Sequence, residues 1–119
     1  MRPLARIAEE WRDDLVLARI EGEIDASNVA DIGSRLRSLL SNHSTAMVVD
    51  LSATTYLDSA AINLLFALRD EMGFHQQRLA LVIPDGSSIG RMISLTGLDR
   101  TVAVRPTADA AVAVIRQDG

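Results

Sequence analysis

Ser59 has the setting that most invites chemistry: in "TTYLDSAAINLLFALRDEM" (Thr54 to Met72) it stands between an aspartate and a largely apolar stretch. A serine opening a helix can use the same main-chain groups in two ways. It can cap the unpaired N–H groups of the first turn, or it can carry a phosphate that those N–H groups and the positive end of the helix dipole would receive. Asp-Ser before an apolar helix is first of all a capping signal, so the pattern alone predicts Ser59 as a cap with free N–H donors beside it. A phosphate there would add about −1.5 to −2 charges next to Asp58. A helix start tolerates such a charge, whereas a partner pressed against the same surface does not. Thr54 and Thr55 are further hydroxyls, but they precede the helix on a predicted loop and rank below Ser59.

Catalysis has less to build on. Ser59 lacks the Gly-x-Ser-x-Gly elbow of hydrolases, and both histidines, His43 and His75, fall in polar segments that read as loops at helix ends. Each is expected to be a solvated loop histidine, so the chain is expected not to be an enzyme. Asp25, Asp50 and Asp58 could gather at one sheet edge around a magnesium ion, but three carboxylates without further ligands are a weak signal. Asp50 is expected to hydrogen-bond adjacent loop backbone instead, and no cofactor is expected.

Composition excludes whole classes of activity. With no cysteine there is no disulfide framework, thiolate zinc site or cysteine nucleophile. Every Lys/Arg position is arginine; without lysine neither a Walker-type phosphate loop nor Schiff-base catalysis is available. A net charge of -4 and pI near 5.0, with the twelve arginines scattered, argue against nucleic acid and for a protein partner or small ligand. The segment through Arg12 carries Glu9, Glu10 and three arginines in place of an apolar signal core, and no apolar run reaches the ~18 residues of a bilayer span. The expected location is the cytoplasm, and 119 residues are expected to form a single domain, 1–119.

The elements that must position Ser59 alternate along the chain. Leu15 to Ile20 reads as the first strand, ended by Gly22. Ser27 is the expected cap of a helix with apolar residues at Val29, Ile32, Leu36, Leu39 and Leu40. Ala46 to Leu51 is a continuously apolar strand of the kind covered on both faces. A helix from Ser59 to about Met72, a strand from Arg78 to Ile83, a helix capped by Ser87 or Ser88 and stopped by Gly97, a strand over Thr101 to Val104, and a helix capped by Thr107 and ending near Gln117 complete the series. This rhythm predicts an α/β fold with a mixed, mainly parallel sheet of four to five strands and about four helices.

Turning 100° per residue along the helix after Tyr56 separates two faces. Ala61, Leu65, Leu68 and Met72, flanked by Leu64 and Ile62, form the expected core face. Ser59, Asn63, Phe66, Ala67 and Asp70 share the opposite arc, which makes Asn63, Phe66 and Asp70 candidate partner-binding residues around Ser59.

"VVDLSATTYLDSAAINLL" resembles the signature segment of the STAS domain family, in which a buried strand leads to an Asp-Ser pair opening the next helix. "EGEID" (Glu21 to Asp25) is similar to that family's Gly-Glu-Leu-Asp, and "LTGLDRTVAV" (Leu95 to Val104) to its Thr-Gly-Leu helix end. In family order, the similarity spans about 15–116, nearest to the stand-alone bacterial anti-sigma factor antagonists. The resemblance implies that the unphosphorylated protein binds an anti-sigma factor that is also a serine kinase, freeing a sigma factor for transcription. It implies phosphorylation at Ser59, reversal by a metal-dependent serine phosphatase, and Asp58 and Asp25 as phosphosite neighbours. A second reading is a STAS adaptor without phosphate chemistry, such as the small cytoplasmic subunit of a bacterial lipid-transport ATPase complex. Where the family continues with a second hydroxyl and Gly-Leu-Gly, this chain has Ala60, Ala61, Ile62 and Asn63, a stiffer and bulkier first turn.

Overall fold

A computed structural model describes residues 4–40 and 44–117. The chain opens with a hairpin, β1 (Ala5–Arg12) and β2 (Leu15–Ile24), closed by a two-residue turn in which Asp13 adopts a left-handed φ of 58°. There follow α1 (Val29–Leu39), β3 (Ala46–Asp50), β4 (Thr54–Leu57), α2 (Ser59–Phe74), β5 (Arg78–Val82), α3 (Ser88–Thr96), β6 (Ala103–Arg105) and α4 (Ala108–Gln117). A 3-10 turn, Leu98–Arg100, precedes β6.

The six strands form one sheet in the order β1-β2-β3-β5-β6, with β4 also on β2. Among the described residues, only the β1/β2 pairing is antiparallel. The sheet has one strand more than the upper end of the expected four to five, and the strands the sequence pattern did not locate are β1 and β4. β2 serves two partners in turn: Leu15 to Arg19 pair with β3, and Gly22 to Ile24 pair with β4. Gly22 thus shifts the register within β2 and does not end it. Its φ of +107° requires glycine, and a Cβ there would lie 2.2 Å from the Leu4 carbonyl oxygen.

Strand residues alternate between two cores. Val16, Ala18, Ile20, Met47, Val49 and Leu81 face α1, α2 and α3, while Leu15, Leu17, Ala46, Val48, Ala80 and Val82 face α4. β3 and β5 are therefore covered on both faces, which explains their continuous apolar sequence. On α2, the expected face of Ala61, Leu65, Leu68 and Met72, with Ile62 and Leu64, is buried in the larger core.

The caps of α3 and α4 agree with expectation, and that of α1 differs. α1 is not capped by Ser27: its first N–H groups bond the Asp25 carbonyl, and Asn28 holds the turn by accepting from Asp25 N–H at 2.9 Å and donating to the Glu23 carbonyl at 2.8 Å. Ser87 does cap α3, accepting from Gly90 N–H at 3.1 Å, and Gly97 ends it in the left-handed conformation. Thr107 Oγ1 accepts from Ala110 N–H at the start of α4.

Candidate functional site

The β4–α2 junction is fixed from both sides before Ser59 is reached. Thr54 is buried; its Oγ1 donates to the Ile20 carbonyl at 2.8 Å, so it is a structural hydroxyl, whereas Thr55 is exposed. Gly22 N–H donates to the Ala53 carbonyl and Asp58 N–H to the Ile24 carbonyl, pinning both ends of β4 to β2.

The cap of α2 is Asp58 and not Ser59. Asp58 has extended backbone angles (φ −112°, ψ −171°), and its Oδ1 accepts from Ala60 N–H at 3.0 Å and Ala61 N–H at 3.2 Å. Its Oδ2 accepts from Ala26 N–H at 3.1 Å, at the start of the turn that leads into α1. One carboxylate therefore ties two helix starts together. The N–H donors expected to lie free for a phosphate are occupied by Asp58. Ser59 becomes the first helical residue, exposed, with its hydroxyl relieved of capping.

Asp25 belongs to the same corner through Ala26. Its Oδ1 accepts from Ser27 N–H at 2.8 Å and from Ser27 Oγ. Those bonds, the hydroxyl's first and the amide's second, hold the Asp25 carboxyl below its ordinary value. Asp50 stays outside this corner: its Oδ1 accepts from Ser52 N–H at 2.9 Å, the loop-backbone bond expected of it. Among the described residues, no three Asp, Glu or His side chains come together as a cation site.

Along the outer arc of α2, Asn63 and Asp70 are exposed. Phe66 is half-buried, packed on the core, with the Arg69 guanidinium 4.9 Å from its ring centroid. Arg69 also donates to Asp70 Oδ1 at 2.7 Å and 2.9 Å and to Thr101 Oγ1 at 2.9 Å. The open part of the arc is thus Ser59, Asn63 and Asp70, with Phe66 screened beneath Arg69. Exposed apolar side chains that the sequence reading did not single out include Tyr56 on β4 (49%) and Met92 and Leu95 on α3 (38% and 82%), besides Leu4, Trp11 and Phe74. The same face analysis on α3 carries the signal, since Met92 and Leu95 lie one turn apart while Ile89 and Ile93 enter the core.

Of the four positions that depart from the family pattern, Ala61 and Ile62 are buried (2% and 5%). Only Ala60, half-buried, and Asn63 reach the surface. His75 is exposed at the end of α2, edge-on to Phe74 with ring centroids 5.3 Å apart; His43 lies outside the described residues. A groove of 710 Å³ between the C-terminal ends of α1 and α2, lined by Arg37, Leu40, Glu71 and Phe74, lies at the opposite end of α2 from Ser59. Among the described residues, no helix is long and apolar enough to cross a membrane.

Residues 6–111 match the STAS domain family. The chain is 33% identical over 97 residues to the anti-sigma-F factor antagonist RsfB of Mycobacterium tuberculosis, covering 82% of this chain and 78% of that one. An anti-sigma factor antagonist from Mycobacterium paratuberculosis superposes with a TM-score of 0.84 at 28% identity, covering 94% of each chain. The fold also matches Bacillus SpoIIAA at 18% identity, in its unphosphorylated form (TM-score 0.76, 94% of this chain and 97% of that one) and its phosphorylated form (0.70, 92% and 99%).

Proposed function

The chain belongs to the STAS domain family, and we propose that within it the protein is an anti-sigma factor antagonist whose partner binding is controlled by phosphorylation of Ser59. The observation that carries this reading is the division of labour at the head of α2. Asp58 takes the capping role with both carboxylate oxygens, and the neighbouring hydroxyl is left exposed with no structural duty.

In this proposal the unphosphorylated surface of Ser59, Asn63 and Asp70, with Phe66 beneath, docks on an anti-sigma factor that is also a serine kinase. Docking frees the sigma factor. The kinase transfers the γ-phosphoryl group of ATP to Ser59 Oγ, which loses its proton as ADP departs, and a serine phosphatase later hydrolyses the ester with water, restoring the hydroxyl and releasing inorganic phosphate. Because the N–H groups of Ala60 and Ala61 are taken, the phosphate projects into solvent beside Asp58 and the Asp25 corner. It acts as an unneutralised charge on the docking face and leaves the helix cap undisturbed. Bringing about −1.5 to −2 charges into an interface without a partner costs several kcal/mol. At about 1.4 kcal/mol per tenfold, affinity falls a hundredfold or more. The protein itself performs no catalysis in this scheme, and it acts in the cytoplasm, where kinase and sigma factor are found.

The test is intact mass after incubation with the candidate kinase and ATP. Wild type should gain one phosphate and release the kinase, while Ser59→Ala should gain none and stay bound. A wild type that gains no phosphate and binds equally with or without ATP would favour the adaptor reading.

A further inference from the structure

β1 is an edge strand: among the described residues its only strand neighbour is β2. The pairing runs in unbroken register from Ala5 to Arg12, and the strand contains no proline. A long, regular, open edge is a template for another strand, which proteins ordinarily blunt with bulges, proline or charge. Here only charge is present, so its arrangement decides whether the edge repels or accepts a second strand.

The ladder's phase is fixed at both ends. The Leu4 carbonyl accepts from Glu23 N–H at 3.0 Å, and Arg12 and Leu15 close a two-residue hairpin. Main-chain groups of an antiparallel strand point alternately to its two sides. Those of Arg6, Ala8, Glu10 and Arg12 therefore face β2, and those of Ala5, Ile7, Glu9 and Trp11 point out from the free edge. A second copy meeting this edge antiparallel must set outward-pointing residues opposite one another. The two-fold axis therefore passes through a residue and never between two.

That restriction leaves few registers, and charge separates them. Centring on Glu9 sets Glu9 against itself and Arg6 against Arg12. Centring on Ile7 sets no cation opposite an anion. Centring on Ala8 sets Arg6 opposite Glu10 twice, once on each side of the axis, with Ile7 opposite Glu9 and Trp11 opposite the small Ala5. Directly opposed unlike charges stabilise a strand pair and like charges destabilise it.

The side chains are available for this arrangement. Arg6 is exposed and makes no hydrogen bond or ion pair among the described residues; its neighbour across the hairpin, Glu21, lies 3.9 Å from Arg19. Glu10 receives Arg12 on one oxygen at 2.7 Å, and its side chain remains 62% exposed. Trp11 is 47% exposed beside them.

We propose that β1 is a self-association edge: two copies of the chain pair antiparallel about Ala8, held by two Arg6–Glu10 ion pairs, so that one sheet runs through both. The contact is isologous and closes at two subunits. It stands independently of the anti-sigma reading.

Sedimentation velocity from micromolar to near-millimolar concentration tests it. Wild type should show a reversible monomer–dimer equilibrium. Arg6→Glu, which sets acid against acid twice, should raise the dimer Kd about tenfold to a hundredfold. Arg6→Glu combined with Glu10→Arg should restore the dimer. Glu9→Pro, which removes an outward-pointing N–H and no hairpin bond, should also give monomer, with circular dichroism confirming the fold of each variant. A monomeric wild type, a dimer indifferent to Arg6→Glu and Glu9→Pro, or a charge-swapped variant that stays monomeric while folded would each overturn the proposal.

Discussion

Replacing Asp58 by alanine separates the two residues that compete for the head of α2. The substitution removes the acceptor for Ala60 and Ala61 N–H, an N-cap loss of about 1 kcal/mol. It removes a negative charge from the positive end of the helix, worth about 0.5 kcal/mol at a partly exposed position. It also strips the partner from Ala26 N–H, about 1 kcal/mol more. The sum is roughly 2–3 kcal/mol, which for a domain of this size lowers Tm by about 10 °C. Asp58→Asn keeps one acceptor oxygen and should lose about half as much. Ser59→Ala removes no bond from the cap and places a good helix former at an exposed position, so it should change stability by less than about 0.5 kcal/mol. Urea unfolding of the three variants, with equal slopes confirming a shared unfolding reaction, gives the ranking directly. A Ser59→Ala variant as unstable as Asp58→Ala, or an Asp58→Ala variant as stable as wild type, would refute the assignment of the cap to Asp58.

Gly22→Ala should be severely destabilising, by about 2 kcal/mol or more, because a φ of +107° and a Cβ 2.2 Å from the Leu4 carbonyl cannot both be relieved without moving β1; an unchanged urea midpoint would refute this. Phe66→Ala should cost about 1–2 kcal/mol, less than the ~3–5 of a fully buried phenylalanine, and should weaken binding to the proposed anti-sigma partner; unaltered binding would remove Phe66 from the proposed docking face. Arg37 donates to both oxygens of Glu71 at 2.8 Å and holds that carboxyl below its ordinary 4.5. The folded value being the lower one, this tie contributes at neutral pH and is lost as pH falls through 4.5 and below. Both side chains are half-exposed, so the contribution is under about 1 kcal/mol. The stability gap between wild type and Arg37→Met should shrink on acidification; a widening gap would contradict it.

The parts of the fold legible in the sequence are those whose side chains report burial. β3 and β5 are apolar throughout because helices cover both faces, and the core stripe of α2 follows helical spacing because one side enters the sheet. β1 escaped because "ARIAEEWR" shows no apolar alternation: one flank is solvated, and main-chain pairing with β2 holds it. β4 is short and begins with two threonines, which read as a loop until Thr54 is seen bonded to Ile20. Caps were the least legible feature. Asp25, Ser27 and Asn28 all favour helix starts, as do Asp58 and Ser59, and the choice between neighbours rests on backbone angles and long-range bonds such as Asp58 to Ala26. The sequence predicts Ser59 as the cap of α2, whereas the structure gives the capping to its neighbour Asp58 and leaves Ser59 exposed. Phe66 shares the outer arc as the angles require, but no sequence rule announces that Arg69 will lie over its ring.

The edge position of β1 also has a signature in time. Amides on β3 and β5 are paired and covered, so deuterium reaches them only through large openings of the sheet. Along β1 of the monomer the uptake should instead have a period of two: slow at Arg6, Ala8, Glu10 and Arg12, whose N–H groups face β2, and fast at Ile7, Glu9 and Trp11, whose N–H groups face water until a second copy pairs with them. A single eight-residue strand would then carry both the hairpin's resistance to opening and its unguarded side, readable residue by residue.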